Sequence, residues 1–409
     1  MYISPNFTQS TESMRKAIYI FFLWIFSLFH LMSQINEIEQ LIEEVQRKYA
    51  PDQRVEIFSV KASRDAGTLQ LIGKTTSEAA YLALMREARK ISPQIKESIL
   101  LLPDKALGEE NLGVIYNSVG TLRAEPRYGS ELVSQVLLGM PVKILERQGG
   151  WLRIQTPDRY IGWISGSVKQ MSQMQMQQYL KQPKVVVTAL SASSFANTGV
   201  ESLPVSDLVA GNMLVLQSVE VSCYRVQYPD GREAYVQKTD AVEVSEWVKD
   251  IKLNGENVVN TAFRFMGIPY LWGGTSAKGL DCSGFTKLVY FLHGIILARD
   301  ASQQVFYGKL VDETGHFDEV QPGDLLFFGT KATIESPLER VVHVGIYIGN
   351  KRFIHASDYV HINSFDPADP LYDEFNAHRY LRAKRVIGEV NNEGIEELLK
   401  NSFYQSYQQ

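Results

Sequence analysis

The segment YLWGGTSAKGLDCSGF, residues 270–285, decides how the C-terminal half of the chain is interpreted. It places Cys282 where a glycine-rich loop meets TKLVYFLHG, residues 286–294, a stretch that we interpret as a helix. A thiol at the N-terminus of a helix feels the positive end of the helix dipole, which lowers the thiol pKa and favours the thiolate. Cys282 is therefore the candidate nucleophile, and such a thiol needs an imidazole as its base.

Two downstream histidines fit that need. His343 begins the strand-like run HVGIYIG, His355 lies near the end of the next run, RFIHAS, and Gly349-Asn350 between them is typical of a turn. Side chains alternate along a strand, so two histidines twelve residues apart in a hairpin are expected on one face. One imidazole can act as base while the other orients it. A zinc peptidase fits poorly, because the sequence has no HExxH-type pair and no third ligand at a clear spacing.

The second cysteine, Cys223, is interpreted as a buried small apolar residue in a strand. In an oxidising compartment a disulfide between Cys223 and Cys282 remains an open alternative. Four further histidines are expected to be structural, namely His293, His316, His361 and His378.

Around this constellation, residues 246–388 form one block with helices first and an antiparallel sheet after them, which indicates an α+β domain. Its first helix, in residues 256–270, is predicted to end at Gly267, with Pro269 beyond. The polar tail, residues 389–409, is expected to be peripheral.

An internal repeat precedes the block. Eight residues recur at a fixed offset of 72 without gaps, the first copy being Ser130, Val133, Ser134, Gly139, Arg153, Gln155, Pro157 and Asp158. Short strands separated by turns at this spacing predict two small all-β barrels, residues 107–170 and 183–245. The Met- and Gln-rich stretch 170–182 is interpreted as a linker.

The sequence of the N-terminal part predicts an export signal followed by a small module. Arg15-Lys16 precedes an apolar run, and residues 1–33 therefore predict a signal peptide, with Met14 as an alternative start. An uncleaved membrane anchor is the rival interpretation, although the run is short for a membrane span. Residues 34–106 alternate helix and strand patterns around a hairpin signal at residues 65–67, which predicts a small α+β module without recognisable chemistry.

Composition limits the remaining classes. The chain has 409 residues, of which 45% are hydrophobic and 21% charged, so it is expected to form several globular domains. A net charge of −5 gives no electrostatic basis for nucleic-acid binding. Two cysteines cannot build a disulfide framework.

Five motifs in order resemble the NlpC family of papain-like cell-wall cysteine peptidases. They are YLWGGTSAKGLDCSGF, RDASQQ, GDLLFF, HVGIYIG and FIHAS, and they cover roughly residues 250–388. The preceding barrels resemble the bacterial SH3-like domains found beside such enzymes. The resemblance implies that Cys282 is the nucleophile, His343 the general base and His355 its orienting partner.

A subgroup with two SH3-like domains cleaves the γ-D-glutamyl–diamino acid bond of peptides that carry a free N-terminal L-Ala. Resemblance to it implies substrate contacts from these residues: Glu125, Tyr160, Tyr270, Trp272, Asp281, Ser283, Arg299 and Asp300. Tyr270 would help to polarise the substrate carbonyl, and Asp281 with Glu125 would bind the L-Ala ammonium. Ala301 stands where the subgroup can carry serine, so that contact is in doubt.

The sequence thus predicts an exported, monomeric cysteine peptidase of the periplasm or cell envelope that acts on peptidoglycan-derived peptides. The expected architecture is multidomain: a papain-like α+β catalytic domain, two small all-β barrels and an N-terminal α+β module. No metal, organic cofactor, nucleic acid or stable membrane insertion after signal cleavage is expected. Two alternatives remain, a wall-binding protein with an inert catalytic domain and a papain-like acyltransferase.

Overall fold

The computed structural model describes residues 6–65, 68–199, 201–392 and 394–405. The chain separates into two compact units, Met1–Lys105 and Ala106–Gln409.

The first unit is a small α+β module. Its elements are α1 (Asn6–Tyr49), β1 (Phe58–Asp65), β2 (Thr68–Thr75), α2 (Glu78–Ile91) and β3 (Lys96–Leu101). β1 and β2 form the predicted hairpin, and β3 lies parallel to β2 on its other side. Ser77 caps α2 by accepting a hydrogen bond from the backbone N–H of Ala80 at 3.2 Å. The predicted helix at 35–50 is the C-terminal part of α1.

The predicted export signal, residues 1–33, lies partly outside the described residues, and it stays a prediction. Within the described part of the chain, no helix combines the length and apolar character that crossing a membrane requires.

The second unit begins with two antiparallel seven-stranded sheets. The first contains β4 (Leu112–Ile115), β5 (Val119–Arg123), β6 (Leu132–Leu137), β7 (Pro141–Gln148), β8 (Trp151–Gln155), β9 (Ile161–Ser165) and β10 (Val168–Met171). The second contains β11 (Lys184–Val187), β12 (Ser191–Phe195), β13 (Pro204–Val209), β14 (Met213–Val219), β15 (Cys223–Gln227), β16 (Glu233–Gln237) and β17 (Ala241–Glu243).

The two sheets share one topology. The first has the strand order β6-β5-β9-β8-β7-β4-β10, and the second has the order β13-β12-β16-β15-β14-β11-β17. The two orders are the same once seven is added to each strand number of the first sheet. The repeat seen at an offset of 72 residues is therefore a repeat of structure. The stretch between the sheets is a short helix, α3 (Gln173–Lys181), which begins with a capping box at Ser172.

The remaining chain packs helices against a six-stranded antiparallel sheet. The helices are α4 (Val244–Asp250), α5 (Gly255–Phe263), α6 (Cys282–Phe291), α7 (Ala301–Gln304) and α8 (Glu374–His378). The strands outside the main sheet are β18 (Thr275–Ser276), β19 (Gly279–Leu280), β20 (Ile295–Leu297) and β27 (Ile395–Glu397). The sheet runs in the order β21 (Lys309–Asp312), β26 (Tyr380–Arg385), β22 (Leu325–Thr330), β23 (Arg340–Gly349), β24 (Arg352–Ala356) and β25 (Val360–Ser364).

Two expectations about this part need correction. The first helix ends at Phe263 and not at Gly267, because residues 265 and 266 tighten into turns that bond three residues back. The tail is not peripheral within its described residues. There β27 pairs with β20, and the side chains of Ile395, Leu398 and Tyr404 are buried in the same core as Cys282.

Candidate active site

Cys282 is the first residue of α6, as predicted. Asp281 caps the helix, since its Oδ1 accepts a hydrogen bond from the N–H of Gly284 at 2.7 Å. The glycines are required by close packing. A Cβ on Gly284 would lie 1.9 Å from the carbonyl oxygen of Gly274, and Gly273 has a φ of +78° with the backbone of Leu132 directly against it. These two close backbone approaches fix the position of Cys282 at the start of α6.

The electrostatics of the thiol differ from the prediction. Burial, with a smaller contribution from the neighbouring Asp281 carboxylate, raises the pKa of Cys282 to about 12. The backbone N–H groups of Ser283 and Val344 act in the opposite direction, as the helix N-terminus was expected to do, but burial outweighs them. The expectation of a lowered pKa was wrong, because the sequence did not show that the side chain is only 7% exposed. Cys282 is therefore a thiol that loses its proton as it attacks.

The two histidines lie side by side. β23 and β24 pair with Ile346 opposite Ile354, which places His355 beside Gly345 and one step diagonally from His343 on the same face. The Nε2 of His343 lies 2.7 Å from the Nδ1 of His355. The hairpin prediction is confirmed, including the common face.

Asn363 extends this pair into a chain of three polar groups. Its Nδ2 donates to the carbonyl of Leu371 at 3.3 Å, so its Oδ1 faces the Nε2 of His355, 2.6 Å away. An amide oxygen can only accept, so His355 carries its proton on Nε2 and accepts on Nδ1 from the Nε2–H of His343. The Nδ1 of His343 is then unprotonated, which is the tautomer that a base requires.

Burial also keeps both rings neutral. It lowers the pKa of His355 to about 4 and holds the pKa of His343 well below 6.5. The neighbouring imidazole and the guanidinium of Arg379 depress the pKa of His343 further. At neutral pH His343 is therefore ready to accept the thiol proton.

Replacing Asn363 with aspartate is expected to move the acid limb of the kcat/KM profile to higher pH. The new carboxylate would favour the charged form of His355 and of the coupled pair, raising their pKa values, so the base would stay protonated at pH values where the wild type is active. Asn363→Ala is the matched control, since it removes the acceptor without adding charge and should lower kcat/KM without that upward shift. If the acid limb of Asn363→Asp lies at the same pH as that of the wild type, the hydrogen-bonded chain from Asn363 through His355 to His343 does not set the pKa of the base.

Asp281 is held by an internal ion pair. Its two oxygens accept hydrogen bonds from the guanidinium of Arg299 at 2.6 and 3.1 Å, and Oδ2 also accepts from the N–H of Gly273 at 2.9 Å. Arg299 is almost fully buried, and it also donates to the hydroxyls of Ser283 and Ser134. Both oxygens of Asp281 are thus occupied within the protein. The predicted role of Asp281 as an ammonium ligand does not fit this geometry, which indicates that it fixes the loop and the start of α6.

The first seven-stranded sheet, which corresponds to the first predicted barrel, borders the nucleophile loop. The indole Nε1–H of Trp272 donates to a carboxylate oxygen of Glu131 at 2.7 Å, and the backbone N–H of Thr275 donates to Gln135 at 2.9 Å. Lys287 on α6 forms a buried ion pair with Asp158, with the charged atoms 2.7 Å apart. Through these contacts the first sheet packs against the segment that carries Cys282, within one compact unit.

The other residues predicted to contact the substrate differ in burial and in their distance from the catalytic residues. Tyr270 is half-buried, and burial together with the nearby Cys282 raises its pKa, so its phenol stays protonated. Tyr160 is buried near Arg299. Asp300 is partly exposed beside Arg299. Glu125 is exposed and pairs with Arg127 at 2.7 Å, and its carboxylate makes no contact with the catalytic residues in the described part of the chain.

Sequence reasoning missed Asn363, His361 and Arg379. The ring of His361 lies 4.5 Å from that of His355, because the two residues are directly opposite each other on β25 and β24. The signal for Asn363 was available, since it lies eight residues after His355 and in phase with it on a hairpin. Nothing in the local sequence marks Arg379, because it approaches the site only through the strand order.

The same structure bears on the alternative of cysteine pairing. Cys223 is buried in β15, and both cysteines are free, which removes the disulfide alternative. Over the residues that the structure describes, no group of three or more His, Cys, Asp or Glu side chains is arranged to hold a metal ion.

Comparisons with known proteins place this geometry among cell-wall peptidases. A model of the NlpC/P60 family matches residues 267–385, and a model of the bacterial dipeptidyl-peptidase Sh3 domain matches residues 122–167. Dipeptidyl-peptidase 6 of Lysinibacillus sphaericus is 30% identical over 268 residues, which are 63% of this chain and 93% of that protein. A γ-D-glutamyl-L-lysine dipeptidyl-peptidase of Bacillus cereus is 32% identical over 266 residues, 62% of this chain and 76% of that protein.

A crystal structure of an NlpC/P60 family protein from Bacillus cereus resembles the fold with a TM-score of 0.57 and 26% identity. The match covers 67% of this chain and 99% of the other.

Proposed function

The chain belongs to the NlpC/P60 family of cysteine peptidases, and from this premise we propose that it hydrolyses the γ-D-glutamyl–diamino acid amide bond of peptidoglycan stem peptides, preferring a free N-terminal L-Ala. The observation that carries the proposal is the polar chain from Asn363 through His355 to His343, because it leaves the proton-accepting nitrogen of a neutral imidazole available to the nucleophile. Two relatives named for dipeptide release support the choice of bond.

The reaction proceeds in two acyl-transfer steps. The sulfur of Cys282 attacks the γ-carbonyl carbon while its proton passes to His343, and the Tyr270 hydroxyl and the helix N-terminus face the developing oxyanion. His343 then gives the proton to the leaving amine, so that the amide bond breaks and a γ-glutamyl thioester remains. Water adds to the thioester with His343 as base again, releasing the dipeptide acid and restoring the thiol.

Incubation of the purified protein with L-Ala-γ-D-Glu-L-Lys tests the choice of bond. The proposal expects L-Ala-γ-D-Glu and free lysine as the products identified by mass. Release of alanine, or an intact tripeptide, would contradict it.

The preference for a free N-terminus rests on the first barrel. An L-Ala ammonium needs carboxylate partners, and of the predicted carboxylates the side chains of Glu125 and Asp300 are 61% and 26% exposed, against 10% for Asp281. Because the first barrel packs beside the nucleophile loop, it can limit access for a substrate that continues beyond L-Ala.

Glu125→Gln is expected to lower kcat/KM for L-Ala-γ-D-Glu-L-Lys about tenfold to a hundredfold, since one charge-assisted hydrogen bond contributes about 1.5–3 kcal/mol. N-acetylation of the substrate should cause a similar loss in the wild type and little further loss in the variant. Steady-state kinetics on the two peptides with both proteins measure this. Equal wild-type rates on free and acetylated peptides would remove the preference from the proposal.

Two further parts of the proposal concern the cell. We propose that residues 1–33 direct export to the periplasm or cell envelope and that the mature protein acts there as a monomer. The alternative of an inert wall-binding domain is less favoured, because Cys282 and both histidines are present and His343 has the tautomer of an active base. An acyltransferase would use the same thioester, and the identity of the acceptor distinguishes it.

A further inference from the structure

Arg379 lies near the catalytic histidines, and among the described residues it forms no ion pair. It follows α8, and its backbone carbonyl accepts a hydrogen bond from the N–H of Gly329 at 2.8 Å. The residue before Gly329 is Phe328, which lies directly opposite His343 in the sheet. This hydrogen bond fixes the main chain of Arg379 against β22, the strand that pairs with β23 at His343.

Its guanidinium is oriented by its neighbours, and Asp373 acts on its charge without forming an ion pair with it. The Nε–H donates to the Oδ1 of Asn376 at 2.9 Å, and the guanidinium carbon lies 4.2 Å from the centre of the Phe375 ring. In the described part of the chain no carboxylate lies within ion-pair distance of Arg379, and its two terminal amino groups have no hydrogen-bond partner. Phe375 is itself exposed, so an aromatic surface lies beside the arginine fork.

The charge of Arg379 reaches the reacting groups. It lowers the pKa of both His343 and His355, while the carboxylate of Asp373 and, to a smaller extent, a negative charge on Cys282 raise the pKa of Arg379. Burial acts on Arg379 itself by lowering its pKa, so the cation is partly desolvated. A partly desolvated cation with unused donors gains free energy when an anion binds to it.

Arg299, the other cation near the nucleophile, cannot supply such a site. Its side chain is buried, and its donors are taken by Asp281, Ser283 and Ser134. A substrate anion close to the scissile bond would therefore find its partner at Arg379.

We propose that Arg379 binds a free carboxylate of the substrate that flanks the scissile amide. The inference rests on the proposed function, because a γ-linked glutamyl peptide carries such groups. One is the α-carboxylate of D-Glu on the acyl side, and the other is the C-terminal carboxylate of a diamino acid on the leaving side. Both are planar and match the bidentate geometry of the guanidinium.

Three substrates distinguish the two sources: L-Ala-γ-D-Glu-L-Lys, the same peptide with a C-terminal amide, and its analogue with the α-carboxylate of D-Glu converted to an amide. In the wild type, the amide at the recognised position is expected to lower kcat/KM about tenfold to a hundredfold. Arg379→Gln should lower kcat/KM on the parent tripeptide by the same factor and should no longer respond to that amide. The position at which the response is lost identifies the carboxylate.

Arg352→Gln is the matched control, because Arg352 lies on the same sheet but pairs with Asp369 away from the histidines. It should keep the wild-type response to both amides. Arg379→Lys keeps the charge but loses the two-pronged guanidinium, so its kcat/KM on the parent tripeptide should lie between those of the wild type and Arg379→Gln. If Arg379→Gln does not fold, Arg379→Lys takes its place in the comparison. All rates are taken on the pH plateau, because removing the cation also raises the pKa of the histidines.

An Arg379 variant that responds to both amides as the wild type does would overturn the inference. Failure of the wild type to cleave the parent tripeptide would instead refute the proposed function, so the two failures are distinct.

Discussion

Cys282→Ser is expected to lower kcat/KM by about a thousandfold or more while leaving the fold intact. The serine hydroxyl is far less acidic and less nucleophilic than the thiol, and the buried site that already raises the pKa of Cys282 would disfavour an alkoxide still more. The oxygen occupies nearly the same position at the start of α6, so thermal unfolding should change little. Kinetics on L-Ala-γ-D-Glu-L-Lys together with a thermal melt measure both effects.

Cys223→Ser is the matched control, since it makes the same chemical change at the other buried cysteine. It should keep the kinetic constants close to those of the wild type, whatever it does to stability. Substantial activity in Cys282→Ser, or an equal loss in Cys223→Ser, would mean that the nucleophile has been misassigned.

His343→Ala is expected to cost more activity than His355→Ala. His343 moves the proton in both steps, a role that contributes about 10²–10⁴-fold, whereas His355 acts by holding the tautomer of His343 through the 2.7 Å contact. In His355→Ala the second imidazole is lost, but the base remains. We therefore expect a smaller loss and a changed pH profile.

The comparison is made by measuring kcat/KM across pH for both variants, with thermal unfolding to verify the fold. The acid limb should survive in His355→Ala, because His343 still titrates. A reversed order of losses would show that the two roles are exchanged, and negligible losses in both would remove the hairpin from the mechanism.

The sequence was sufficient where the site depends on local geometry. The nucleophile follows from a glycine-rich loop entering a helix, and the common face of the histidines follows from the two-residue period of strands joined by a short turn. The duplicated sheet was equally accessible, because an offset of 72 residues without gaps maps strand onto strand.

Properties that depend on tertiary packing were not accessible from the sequence. The pKa of Cys282 is set by burial under segments far apart in the chain, so the helix position alone gave the wrong direction. Asp281 looked like an available carboxylate because its partner Arg299 lies eighteen residues later. Arg379 approaches the histidines only because β26 inserts beside β22 in the sheet.

We propose that this peptidase transfers the γ-glutamyl acyl group from Cys282 to water. Turnover of L-Ala-γ-D-Glu-L-Lys in ¹⁸O-labelled water, with an amino acid amide present as a competing acceptor, tests it most directly. The expected products are free lysine and L-Ala-γ-D-Glu that carries the label in its γ-carboxylate. An unlabelled conjugate of the dipeptide with the acceptor would show acyl transfer instead of hydrolysis, and label at any other carboxyl group would contradict the assigned bond.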